Sequence, residues 1–231
     1  MEMLNKDMLI ELAKKLDLSS LLQLLASSKL INEKLNDVWI HKLQDFPEYK
    51  TLNIENLKDC YILLYKLTIF KNIIKEENIY NLYKRKILEL FLGKLTSIPK
   101  EIDSLQNLKI LSLVNNKKLI YLPKEICNLK NLEELDLFNN NLKEIPKEIG
   151  GLLSLKQFDL SCNQLRYIPK QIEQLSNLLY LNLYNNQLTT IPKEIGSLSK
   201  LQKINLYNNE LTSIPKELFS NKNLQVFFSN S

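Results

Sequence analysis

Residue types that enzyme sites draw on are scarce in this chain of 231 residues. It has one histidine, His41, and four glycines. A Ser-His-Asp or Cys-His site would have to use His41, and the sequence around it supplies no partner for such chemistry. No GxxxxGK[ST] or GxGxxG stretch is present to hold a phosphate group. We therefore expect no enzymatic activity and no cofactor.

Cysteines and long apolar runs are also scarce. The three cysteines, Cys60, Cys127 and Cys162, are far apart and form no CxxC pair, which argues against a disulfide framework and against a metal site. Residues 1–10 carry acids among their apolar side chains, unlike a signal peptide. No apolar run approaches the roughly 18 residues of a membrane helix. These features predict a soluble protein with reduced thiols, cytoplasmic or nuclear, and no membrane partner.

Charge of one sign is nowhere concentrated. Residues 1–84 carry as many basic as acidic side chains, so the net charge of +5 arises in residues 85–231. The chain has no run of about five or more like charges that would serve as a basic arm. We expect no nucleic-acid partner.

An internal repeat dominates the second part of the chain. Leu132, Leu155, Leu178 and Leu201 are 23 residues apart. Each opens the same order of Leu-x-x-Leu-x-Leu (with Phe or Ile at some positions), an asparagine, a leucine and Ile-Pro. Such self-similarity is the signature of a repeat architecture.

Two earlier units are less regular. The unit from Leu108 has one extra residue within 116–119, and the unit from Arg85 has Gly93 where asparagine is expected. With a C-terminal fragment from Leu224, we count six units and a stub.

These units resemble leucine-rich repeats of the 23-residue type with Ile-Pro, over about residues 85–231. The resemblance implies an α/β fold, a curved solenoid with a parallel sheet on its concave face. The physical chemistry agrees, because Leu-x-Leu places both leucines on one buried face of a strand and stacked units bury that face against each other. Buried asparagines would satisfy the turn after each strand, forming a ladder of Asn116, Asn140, Asn163, Asn186 and Asn209.

Side chains that point outward from the strands are candidate partner-binding residues. Counted from each opening residue, the seventh positions are largely aromatic and the fifth positions hold carboxylates and amides. The candidates are Phe91, Val114, Phe138, Tyr184 and Tyr207 at the seventh position, Asp136, Asp159, Asn182 and Asn205 at the fifth, and Tyr180 at the third. Exposed aromatic rings are typical interface anchors, so we expect an unknown protein target on this face. Duplication of the repeat and cross-strand stabilisation are the alternative explanations of the stripe.

The N-terminal segment, residues 4–43, has leucines at helical spacing and predicts a small all-α domain. It resembles an F-box, a motif that opens with Leu-Pro, continues through a leucine-rich helix and a Leu-Asp turn, and ends near a tryptophan. The matching residues, in order, are Leu4, Met8, Leu9, Leu12, Leu16, Leu21, Leu24 and Trp39. Asn5 stands where the family usually has proline.

The F-box resemblance implies docking of a Skp-type adaptor through residues 4–43. The alternative is that these helices cap the first repeat, since a solenoid needs its apolar end covered. Both hold if residues 45–84 form a connector and cap while residues 1–44 dock and residues 85–231 form the solenoid. We predict a substrate-recognition subunit of a cullin-type ubiquitin ligase. The alternative is a non-enzymatic scaffold that binds a signalling protein such as a Ras-type GTPase.

Overall fold

A computed structural model of the chain describes residues 86–89 and 95–228. These residues belong to the second of two units into which the chain divides, Tyr83–Ser231. The predicted F-box-like helices, the predicted connector and Phe91 lie outside the described residues.

The described residues form a parallel sheet of seven short strands in sequence order. The strands are β1 (Ile87–Glu89), β2 (Ile110–Ser112), β3 (Glu134–Asp136), β4 (Gln157–Asp159), β5 (Tyr180–Asn182), β6 (Lys203–Asn205) and β7 (Gln225–Phe227). Equivalent residues of neighbouring repeats pair directly, as Leu135 does with Phe158. The sheet confirms the predicted parallel arrangement.

Within residues 95–228, a 3₁₀-helix follows each of the six prolines, with the proline at its N-cap. The helices are Lys100–Ser104, Lys124–Asn128, Lys147–Gly151, Lys170–Gln174, Lys193–Ser197 and Lys216–Ser220. Proline suits this position because its fixed φ starts the turn and its missing N–H donor is not needed there. In each helix the N–H of the apolar third residue donates to the carbonyl of the N-cap proline at 3.0–3.2 Å, as Ile149 N does to Pro146 O at 3.0 Å.

The core lies between the sheet and the row of 3₁₀-helices. The middle residue of each of the first six strands is buried, as are the leucines that open each unit and the isoleucines of the helices. Leu132, Leu135, Leu137, Leu142 and Ile149 of one repeat are each 0% exposed. Every repeat therefore contributes one apolar layer, which only its neighbours cover.

The asparagines of the predicted ladder lie inside the turn after each strand. Asn163 Nδ2 donates to Leu160 O of its own repeat at 3.0 Å and to Leu137 O of the preceding repeat at 2.9 Å. Its Oδ1 accepts from Leu142 N at 3.0 Å. The side chain thus satisfies backbone groups that burial would otherwise leave without a partner.

Candidate functional site

The outward surface of the strands, which we call the sheet face, carries three rows of side chains. The strand pairing places the third-position residues in one row and the fifth-position residues in a second row. The seventh-position residues follow each strand and stay in register, because Asn139 N donates to Ser161 O and Asn185 N donates to Tyr207 O, both at 3.0 Å. The sheet face is the surface that the sequence predicts to be concave.

The predicted aromatic stripe is interrupted in the structure. Phe138, Tyr184 and Tyr207 are 39–41% exposed, but Val114 is half-buried and Ser161 is only 2% exposed. Ser161 is held by Asp159, whose Oδ1 accepts from Ser161 Oγ at 2.5 Å. The exposed rings are therefore separated. Phe138 lies on one side of β4, and Tyr184 and Tyr207 lie on the other, with the polar residues Asp159 and Ser161 between them.

Side chains at the fifth position also hold the backbone of the seventh. Oδ1 of Asp136 accepts from Phe138 N at 2.9 Å, and Oδ1 of Asn182 accepts from Tyr184 N at 3.2 Å. The same contact joins Asn205 to Tyr207 at 3.2 Å. These turns fix where each ring projects. This role was not predicted, although it has a signal in the sequence, an Asp or Asn two residues before an aromatic residue or serine.

A shallow depression of about 350 Å³ lies on the sheet face across β3 to β6. Its polar lining includes Glu134, Asp136, Asp159, Tyr180 and Lys203. Tyr180 is 42% exposed, and its hydroxyl lies 3.4 Å from Gln202 Oε1. The depression therefore has three carboxylates at one end and a tyrosine and a lysine at the other.

Asp136 and Asp159 in the depression are close enough for their charges to interact. Burial raises the pKa of Asp136, and the neighbouring charges of Asp159 and Glu134 raise it further, against the lowering effect of the Phe138 N–H. Asn182 Nδ2 donates to Asp159 Oδ2 at 2.9 Å. A cationic side chain of a partner would be favoured next to Asp136, since it would relieve the repulsion between these carboxylates.

An outer row of residues with positive φ lies beside the buried ladder. Asn115, Asn139, Cys162, Asn185 and Asn208 have φ between 55° and 61°. Their side chains also bond across repeats, since Asn139 Nδ2 donates to Asn115 Oδ1 at 2.6 Å and Asn208 Nδ2 donates to Asn185 Oδ1 at 2.5 Å. This second row was not predicted, although the Asn-Asn pairs are its signal in the sequence.

Neither a metal site nor a membrane-spanning helix is found among the described residues. No group of three His, Cys, Asp or Glu among them is placed to hold a metal ion. In residues 86–89 and 95–228 no helix is long and apolar enough to cross a membrane.

Comparisons with known proteins agree with this geometry. Residues 134–230 match the family described as a leucine-rich repeat region. A leucine-rich repeat protein of Leptospira interrogans is 46% identical, with a TM-score of 0.55 over 57% of this chain and 33% of its own. A plant ice-binding protein is 33% identical, with a TM-score of 0.53 over 58% of this chain and 44% of its own.

An internalin of Listeria monocytogenes is 26% identical, with a TM-score of 0.49 over 58% of this chain and 39% of its own. No curated protein matches the sequence. The chain spans less than half the length of each of these solved structures.

The family match over residues 134–230 and the seven-stranded parallel sheet show that this part of the chain has leucine-rich repeat architecture. The described residues are a leucine-rich repeat solenoid, a fold that typically serves as a non-enzymatic scaffold for binding other proteins.

Proposed function

We propose that the sheet face binds a partner protein and that the chain has no catalytic activity of its own. The observation that carries this proposal is the row of exposed aromatic rings that follows the strands whose side chains line the depression. Phe138 and Tyr184 are about 40% exposed, although the residues before them, Leu137 and Leu183, are fully buried. Large rings at fixed positions beside polar groups are typical of protein interfaces.

A photo-crosslinking residue in place of Tyr180 tests this proposal in cells. We expect it to capture a discrete partner, because Tyr180 lies in the depression. The matched control carries the same residue at Lys147, in a 3₁₀-helix and away from the strands. Equal capture from both positions, or capture from Lys147 alone, would contradict binding at the sheet face.

We further propose that residues 4–43 dock a Skp-type adaptor and make the chain a substrate-recognition subunit of a cullin-type ubiquitin ligase. Support comes from the ordered match of these residues to the F-box pattern, from Leu4 to Trp39. Such a subunit acts by proximity, since the partners of the ligase supply the catalysis. The proposal places the protein in the cytoplasm or nucleus.

Co-purification of the full chain with a Skp-type adaptor tests the ligase proposal. We expect binding to the wild-type chain and loss of binding on the double change Leu21→Asp and Trp39→Ala. The matched control, Phe138→Ala with Tyr184→Ala, alters the sheet face and should keep adaptor binding. A folded full chain that fails to bind the adaptor would leave the scaffold alternative, in which residues 4–43 only cap the repeats.

A further inference from the structure

Two positions in each repeat are exposed whatever residue they hold. They precede the apolar residue before each proline, and they are Thr96-Ser97, Ile120-Tyr121, Lys143-Glu144, Arg166-Tyr167, Thr189-Thr190 and Thr212-Ser213. All twelve residues are exposed. Packing of the core therefore does not select the side chains at these pre-proline positions.

Small hydroxyl residues fill these positions at both ends of the solenoid, whereas three central repeats carry large side chains. Tyr121 is 56% exposed, Tyr167 is 48% exposed and Ile120 is 37% exposed. Thr189-Thr190 shows that the same turn forms without them. Copying of one unit does not by itself explain the large residues, because the pair of residues at these positions differs from repeat to repeat. Neither folding nor duplication thus accounts for this exposed apolar surface.

The large residues form one continuous surface, which we call the pre-proline patch: Ile120, Tyr121, Lys143, Glu144, Arg166 and Tyr167. Adjacent repeats meet there, since Lys143 N donates to Ile120 O at 3.2 Å. Tyr167 OH donates to Glu144 Oε2 at 2.7 Å, a bond that raises the pKa of this tyrosine. The Tyr167 ring is therefore held in place, so this side chain would lose less conformational entropy when a partner binds it.

The charge of the patch is predominantly basic. Lys143 and Arg166 lie in it, and Lys117 and Lys118, beside the inserted residue of the second repeat, are exposed next to it. Glu144 is its one carboxylate and is engaged by Tyr167. Among residues 86–89 and 95–228, the ion pairs join Glu133 to Lys109 and Lys156. Lys118, Lys143 and Arg166 form none of them and remain available to an anionic partner, whereas Lys117 Nζ donates to Asn139 Oδ1.

We propose that the pre-proline patch is a second interaction surface, which binds an acidic protein segment whose carboxylates alternate with apolar side chains. Tyrosine and arginine are the residues most enriched at interface hot spots, and the basic side chains match a negative partner. A protein segment fits better than a nucleic acid, because a phosphate backbone is charged at every residue and would place a charge opposite Glu144, whereas an alternating segment can place an apolar side chain there. The patch is separate in sequence position from the sheet face, so the two surfaces can be tested independently.

The test uses a displayed library of short random peptides selected on the full-length protein. In the patch variant, Ile120, Tyr121, Arg166 and Tyr167 are each replaced by threonine, which the turn already accepts at Thr189-Thr190. The matched control changes Thr189→Ala and Thr190→Ala at equivalent positions outside the patch. Both variants should keep the wild-type melting temperature, because all the changed side chains are exposed.

We expect selected peptides rich in Asp and Glu that bind the patch variant about tenfold more weakly than the wild type and the control. Added salt should weaken their binding to the wild type. The proposal is overturned if no selected peptide loses affinity for the patch variant, or if the peptides that do are neutral or basic. Random single-stranded oligonucleotides provide a further check, and a patch-dependent affinity for them without one for acidic peptides would also overturn it.

Discussion

Two rows of asparagines run side by side across the repeats, and they differ in what surrounds them. The inner row, the ladder of Asn116, Asn140, Asn163, Asn186 and Asn209, is buried except at Asn209, which is half-buried. The outer row, Asn115, Asn139, Asn185 and Asn208 with Cys162 in its middle, is half-buried to exposed and has positive φ. The inner amides satisfy buried backbone groups, whereas the outer ones relieve backbone strain and reach water. One residue type in adjacent positions thus serves two physical purposes.

Removal of an inner amide should have the largest effect on stability. Asn163→Ala leaves the buried N–H of Leu142 without its partner. It also removes one of the two amides that donate to the carbonyls of Leu137 and Leu160, which keep only their bonds from the neighbouring ladder asparagines. Buried groups without partners cost about 1–3 kcal/mol each when water cannot reach them. We expect the free energy of unfolding to fall by about 3 kcal/mol in urea titrations.

Asn209→Ala is the matched control for the inner row. Asn209 makes the same contacts, with Nδ2 donating to Leu183 O at 2.9 Å and to Leu206 O at 3.0 Å. It is half-buried, so water can replace part of its role, and we expect a smaller loss than for Asn163. Equal losses at the two positions would show that burial is not what makes the inner row important.

The inner row could be predicted from sequence because it depends on the repeat alone. Each leucine and each asparagine recurs at a fixed place, and the parallel sheet follows from stacking identical units. The break in the aromatic stripe could not be predicted in this way. Ser161 is buried because Asp159 holds it and Asn182 of the next repeat donates to its Oγ at 3.2 Å, a cross-repeat contact that no single unit contains.

The 3₁₀-helices and the positive φ values were also not predicted. Both are local consequences of the residues present, with proline before each helix and asparagine at four of the five left-handed positions, and both have recognisable signals. The pre-proline patch could not be predicted from the sequence for a different reason. Its exposure depends on which positions the solenoid leaves uncovered, and only the structure shows that all six pairs are exposed.

Changes in the outer row should have intermediate effects. Asn139→Ala places an alanine at φ 59°, which costs roughly 1 kcal/mol relative to asparagine or glycine. Asn139→Gly keeps the backbone conformation accessible and should be close to neutral. Thermal unfolding of the two variants separates backbone strain from the loss of the Asn139–Asn115 bond, because both variants lose that bond.

Cys162 is the one member of the outer row that is neither Asn nor Gly, at φ 55°. Cys162→Asn should raise the free energy of unfolding by roughly 0.5–1 kcal/mol, since asparagine tolerates this conformation better than cysteine. Cys127→Ala, at a buried cysteine in a 3₁₀-helix, is the comparison and should be destabilising. A destabilising Cys162→Asn would mean that the contact of its Sγ with Asn185 Nδ2, at 3.4 Å, outweighs the strain.

An exposed ion bridge links the repeats from outside and should contribute least. Glu133 accepts from Lys109 Nζ and from Lys156 Nζ, both at 2.6 Å, and these hydrogen bonds lower its pKa from 4.5 to about 2. A carboxylate whose pKa is lowered by folding stabilises the folded state at pH values above its unfolded pKa, and this stabilisation is lost as the pH falls through the folded pKa.

The difference in melting temperature between wild type and Glu133→Gln should therefore be largest above about pH 5, which is roughly half a unit above the unfolded pKa. It should shrink as the pH falls from 4.5 toward 2, and it should also shrink in added salt, because the side chains are exposed. A difference that persists unchanged to pH 2 would mean that packing of the Glu133 side chain, not its charge, joins these three repeats.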